Sequence, residues 1–129
     1  MLRKAPKTKK NVLIVDDDPS IRYMLGRVLM GEGYEVLAAA NGNDGLQIAQ
    51  EREIDLVLLD LKMPGKSGQE TFKVLRDAWP ELPVIIISAF SRQQLEGLDG
   101  VNALLQKPLD FPILLDTIKR LLAEPVAQG

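Results

Sequence analysis

The chain has 129 residues, 46% of them hydrophobic, with no cysteine and no histidine; that is enough for one domain with a real core and too few for two. The missing cysteines exclude disulfides and thiolate chemistry and are compatible with a reducing cytoplasm, while the missing histidines exclude Ser-His and Cys-His catalysis, imidazole–zinc sites and service as a phosphohistidine donor. The formal net charge of −2 hides a basic start: without Arg3, Lys4, Lys7, Lys9 and Lys10, 11 of the 16 basic residues remain against 18 acidic ones, a balance of −7.

An acidic body cannot neutralise a phosphate backbone, so the folded part is not expected to bind nucleic acid. Residues 1–10 are expected as a basic, flexible, solvated tail. No apolar segment approaches the ~20 residues that span a bilayer, so no membrane role is expected. Val12 to Val15 lead into three aspartates, which is not the core of a signal peptide.

From Asn11 onward strand-like and helix-like segments alternate. Val12 to Val15 are apolar without alternation, the pattern of a strand buried on both faces. Asp18 is placed to cap a helix that begins at Pro19, with Ile21, Met24, Leu25, Val28 and Leu29 as its core-facing stripe, stopped by Gly31 and Gly33. Tyr34 to Ala39 read as the second strand, Asn41-Gly42 as a turn and Asp44 to Glu51 as the second helix. Leu56 to Asp60 form the third strand, followed by a Met63-Pro64-Gly65 loop and a helix from about Ser67 to Ala78 with Phe72 and Leu75 inward. Pro83 opens a fourth strand that runs to Ser88, Gln93 to Leu98 make only a short helix, and Ala103 to Gln106 are the fifth strand. The last helix spans about Pro112 to Ala123 behind a cap at Asp110, and Glu124 to Gly129 read as a frayed tail. Five βα units with short connections imply a doubly wound α/β sandwich, a parallel sheet with helices on both faces.

In such sheets ligands bind outside the carboxyl ends of the strands. Four of the apolar runs end there in Asp16 and Asp17, in Asp60, in Ser88, and through Gln106 in Lys107. Neighbouring carboxylates repel unless a cation offsets the cost, so Asp16, Asp17 and Asp60 suggest a magnesium site, with Asp18 left as the cap. Singly, each residue has a plainer reading: the acidic triplet as a turn, Asp60 as a strand terminus, Ser88 as a hydroxyl bonded to local backbone, Lys107 as a solvated lysine. Their coincidence at one sheet edge is what points to phosphoryl chemistry. Pro108 adds to it, because an X-Pro bond can be cis and would direct Lys107 back across that edge.

The stretches VLIVDDDPSIR, DLVLLDLKMPG, VIIISAF and LLQKPL resemble the receiver domain of two-component response regulators over about residues 11–123. The resemblance implies a flavodoxin-like five-stranded sheet of order 2-1-3-4-5. It implies Asp60 as phospho-acceptor, Asp16 and Asp17 holding Mg2+ with the backbone carbonyl of Lys62 assisting, Ser88 as the switch hydroxyl and Lys107 as the phosphate-contacting lysine. It also implies a phosphoryl group taken from a histidine kinase or phosphotransfer protein, slow self-hydrolysis, and a signal passed to a downstream effector protein by contact.

Two features depart from the family pattern. Leu104 stands where many receivers carry Tyr or Phe, and the stretch from Ser88 to Lys107 is a few residues short, with the loss in the short helix. A monomer or weak dimer is therefore expected, not a symmetric dimer on that face. Two other functions compete. An aspartyl-phosphate phosphatase is disfavoured because Lys62 stands at the second position after Asp60, where a second aspartate is needed. A pseudo-receiver that binds partners without phosphorylation is disfavoured by the complete residue set. Met1 and the absence of a downstream linker favour a stand-alone protein, and the missing cysteines go with an expected cytoplasmic location.

Overall fold

The computed structural model describes residues 9–63, 67–89 and 98–123. Five strands, β1 (Asn11–Val15), β2 (Glu35–Ala39), β3 (Leu56–Asp60), β4 (Val84–Ser88) and β5 (Ala103–Gln106), pair in the order β2-β1-β3-β4-β5. Every pairing is parallel, as the unbroken apolar runs predict. Between the strands lie α1 (Pro19–Gly31), α2 (Gly42–Glu51) and α3 (Gly68–Ala78), and α4 (Phe111–Leu122) follows β5. Successive strand residues face opposite sides. Val12 and Ile14 therefore pack with Leu25 of α1 and Leu114 of α4, while Leu13 and Val15 pack with Leu46 of α2 and Phe72 of α3.

Local chemistry sets the helix ends. Asp18 caps α1 by accepting from the Ser20 N–H at 2.8 Å, with Pro19 first in the helix. At the other end Gly33 adopts φ +93°, and the N–H groups of Gly33 and Tyr34 donate to the carbonyls of Met30 and Leu29. That closure is a Schellman motif. It takes Tyr34 into the cap, so β2 begins at Glu35 and not at the tyrosine. Asn41 caps α2 through its side-chain oxygen, which starts that helix at Gly42, earlier than the expected Asp44. Ser67 caps α3 by accepting from the Glu70 N–H at 3.1 Å while its hydroxyl donates to the Glu70 carboxylate at 3.2 Å, and Asp110 caps α4. Met24, expected in the core stripe, is 42% exposed.

At the amino edge of the sheet Arg76, in the last turn of α3, gathers the chain around itself. Its Nη1 reaches the carbonyls of Trp79, Pro80 and Leu82, and its Nη2 reaches the Gly100 carbonyl and Asn102 Oδ1. The same Asn102 oxygen accepts from the Val84 N–H at 2.9 Å, so the entrances of β4 and β5 share one clip. The expected terminal tails (residues 1–8 and 124–129), the Pro64-Gly65 turn and the short helix over 93–97 lie outside the described residues.

Candidate functional site

The sheet order reverses between β1 and β3, and a doubly wound sheet leaves its crevice at that point. Asp16 follows directly on β1 and is fully buried. Its N–H pairs with the Ala39 carbonyl at 3.1 Å, which extends the sheet by one step. Asp60 is the last residue of β3 and is 3% exposed. Asp17 is exposed. One carboxylate oxygen from each of Asp16, Asp17 and Asp60 lies within 4.8 Å of the others. Beside them lies a cleft of about 530 Å³ lined by Asp16, Asp17, Asp18, Lys62, Met63 and Lys107.

Lys107 crosses to this cluster from the exit of β5. Its Nζ donates to Asp16 Oδ2 at 2.8 Å and to Asp60 Oδ2 at 3.4 Å, and its N–H donates to the Ser88 carbonyl at 2.8 Å. The Lys107–Pro108 bond is cis. Ser88, the buried last residue of β4, stands opposite Gln106 in the register. The neighbouring Ile87 stands opposite Asp60. The Lys62 N–H donates to Asp60 Oδ1 at 3.2 Å. All six residues singled out in the sequence thus meet at one sheet edge.

The electrostatics follow from this packing. Burial raises the pKa of Asp60; the Lys62 N–H opposes the shift, the Asp16 charge adds to it, and the Lys107 ammonium opposes it. Burial works against the Lys107 charge, but its hydrogen bond to Asp16 and the charges of Asp60 and Asp16 outweigh that and leave its pKa raised. One ammonium does not balance three carboxylates. The surplus negative charge, carried by hard oxygen donors alone, fits a divalent cation of the magnesium or calcium kind.

Three features of the site are not evident from the sequence. The ion pair of Lys107 with Asp16 joins residues 91 positions apart. Arg22, on α1, donates from Nη1 to the Asp16 carbonyl at 2.8 Å. Gly68 brings the first turn of α3 onto the exit of β3: a Cβ there would lie 2.3 Å from Leu61 Cα and 2.6 Å from the Asp60 carbonyl oxygen. A glycine inside a helix costs about 1 kcal/mol against alanine, so its presence was the available signal for a close approach.

A family model described as the response regulator receiver domain matches residues 12–119. The transcriptional regulatory protein ZraR of Salmonella typhimurium is 39% identical over 124 residues, covering 94% of this chain and 28% of that protein. The chain thus spans little more than a quarter of that relative. Protein PilH of Pseudomonas aeruginosa is 39% identical over 117 residues, covering 87% of this chain and 97% of that protein. The crystal structure of response regulator TrrA from Thermotoga maritima in complex with Mg2+-BeF matches with a TM-score of 0.82 at 34% identity, covering 88% of this chain and 99% of that one. TrrA in complex with the histidine kinase ThkA matches with a TM-score of 0.81.

Proposed function

The chain belongs to the receiver domain family of response regulators, phospho-acceptor modules of two-component signalling, and on that premise we propose that Asp60 takes a phosphoryl group from a histidine kinase with Mg2+ bound beside it. The observation that carries this reading is the convergence of Asp16, Asp17, Asp60 and Lys107 at one sheet edge. An Asp60 oxygen attacks phosphorus, the new O–P bond forms as the P–N bond to the donor imidazole breaks, and the imidazole leaves with the electron pair and takes a proton from solvent. Lys107, already 3.4 Å from Asp60 Oδ2, neutralises charge on the transferring oxygens, and the Lys62 N–H holds the other carboxylate oxygen.

Asp16, Asp17 and Asp60 would hold the magnesium, with the Lys62 backbone carbonyl assisting. Bound there, the ion supplies further neutralisation of the phosphoryl oxygens. Ser88 is the hydroxyl that responds to the phosphorylated Asp60, and its loop carries the change to a downstream effector protein. The acyl phosphate is later hydrolysed by the same site, so the chemistry is self-catalysed in both directions.

The donor must present its imidazole at the mouth of the cleft. An apolar groove of about 260 Å³, lined by Ile21, Met24, Leu25, Pro108, Leu109 and Phe111, shares Lys107 with that mouth. The exposed Met24 thereby acquires a role: it lies where the donor protein closes over the site. The complex of TrrA with a histidine kinase supports such a partner.

We also read residues 11–123 as the receiver domain, set between a basic segment at 1–10 and a terminal segment at 124–129, and working in the cytoplasm. No helix among the described residues is long and apolar enough to cross a membrane. The acidic balance of residues 11–129 speaks against nucleic-acid binding by the folded part, and Leu104, packed against the cluster around Ile86, in place of an aromatic residue favours a monomer or weak dimer.

The test is incubation with acetyl phosphate and magnesium, followed by intact mass measurement. Wild type gains one phosphoryl group and Asp60→Asn gains none. A wild-type chain left unmodified would favour a pseudo-receiver, and turnover of small phosphoesters would favour a phosphatase.

A further inference from the structure

Asp17 is the weakly held member of the acidic cluster. Asp16 is anchored through its carboxylate by the Asp18 N–H at 2.9 Å and by Lys107. Asp60 is anchored by the Lys62 N–H and by Lys107. Among the described residues the Asp17 side chain has no hydrogen bond or ion pair, and it is exposed. Its carboxylate nevertheless lies within 4.8 Å of the other two. Only the backbone of the turn can keep it there.

That backbone is clamped at one point. Arg22 Nη1 donates to the Asp16 carbonyl at 2.8 Å, and this carbonyl belongs to the peptide unit that also contains the Asp17 nitrogen and leads into its Cα, so fixing that plane fixes the direction from which the Asp17 side chain departs. Arg22 is itself set by α1, where its N–H bonds to the Asp18 carbonyl at 3.1 Å. The turn is thus tied at its carbonyl by a guanidinium and at its carboxylate by Asp18 and Lys107.

The charge of Arg22 works the other way. A cation this close to the cluster disfavours a second cation by simple repulsion, so its electrostatic effect and its geometric effect on metal binding have opposite signs. We propose that Arg22 is a positioning residue for the divalent-cation site, holding the Asp16–Asp17 peptide so that the Asp17 carboxylate stays with those of Asp16 and Asp60. This rests on the magnesium reading above.

The experiment titrates the full chain with magnesium chloride alone, without any phosphoryl donor, following heat and the amide resonance of Asp17. Arg22→Met, which removes both the donor and the charge, should bind magnesium about five- to tenfold more weakly, the scale of one lost ordinary hydrogen bond. Arg22→Lys keeps the repelling charge and loses the planar reach, and should bind magnesium at least as weakly as Arg22→Met. Phosphorylation from acetyl phosphate should show a raised magnesium requirement with a near-normal rate at saturating magnesium, a split that general destabilisation would not produce.

Equal or tighter magnesium binding in Arg22→Met would overturn the proposal, since the clamp would then not outweigh the charge repulsion of Arg22. If Arg22→Met does not fold, Arg22→Lys decides: a wild-type magnesium affinity there overturns the proposal as well. Wild type binding no magnesium at all would remove the functional reading itself, which separates that failure from the failure of the Arg22 assignment.

Discussion

At the carboxyl edge of the sheet Lys107 reaches buried carboxylates, while at the amino edge Arg76 reaches neutral carbonyls and one side-chain amide. Both bring distant segments together around one cation. They differ in what an incoming ion would do. The Lys107 contacts are charged, surplus in acid and open to a cleft, so a phosphoryl group or metal can redistribute them. The Arg76 contacts are carbonyls already committed to the turns they close, and a guanidinium fork suits several such acceptors at once. One end of the molecule therefore stores unbalanced charge for chemistry, and the other holds the frame against which that charge acts.

The sharpest way to break this division is to neutralise each cation in turn. Lys107→Met should slow phosphorylation by acetyl phosphate by about 10²- to 10³-fold, ~3–4 kcal/mol of transition-state stabilisation. Arg76→Met should leave that rate within about twofold and should instead lower unfolding stability by ~3 kcal/mol in urea, because it strands several carbonyl acceptors. Comparable losses of rate in the two variants would erase the distinction. Gly68→Ala tests how tightly the frame abuts the site. Added volume against the Leu61 backbone should cost ~1–3 kcal/mol, although alanine is the better helix former.

The smallest effect concerns the stored charge itself. The folded pKa of Asp60 lies above the ordinary carboxylate value near 3.8. A group shifted in that direction favours the fold at pH below its unfolded value, and that contribution is lost as pH rises through the folded pKa. In chelator, wild-type stability should therefore fall relative to Asp60→Asn as pH climbs out of the acid range. Saturating magnesium should shrink the gap by stabilising wild type. A gap independent of pH would show that Asp60 is not held against its own charge.

The two ends were also unequally legible in the sequence. Apolar runs ending in Asp16, Asp60, Ser88 and Lys107 announce the carboxyl edge, because buried parallel strands need no alternation and polar residues at their ends stand out. The amino edge gave no such sign. Arg76 reads as an ordinary cation in the last turn of a helix, where the dipole alone would favour it, and nothing in the spacing connects it to Gly100 or Asn102. Caps at Asp18 and Asp110 were readable because capping is local. Tyr34 was misplaced because the Schellman closure depends on the φ of Gly33, and the exposure of Met24 depends on the neighbouring Pro108–Phe111 segment. The ion pair between Asp16 and Lys107 was equally illegible, because nothing in the sequence pairs one carboxylate of the cluster with the lysine more closely than another. Asp16→Asn would weaken a hydrogen-bonded ion pair as it removed a charge.

The single tryptophan, Trp79, sits at the foot of α3 beside Ile54, Leu82 and Pro83. The five-residue strands separate that corner from the cleft by roughly their own length, ~16 Å. Excitation of the indole therefore samples the corner closed by Arg76 and not the acidic cluster. Emission should follow denaturation faithfully and stay nearly silent when magnesium or a phosphoryl group arrives. Watching occupancy by light will need a second fluorophore at the carboxyl edge, for which the exposed Ala89, next to Ser88, is a convenient place.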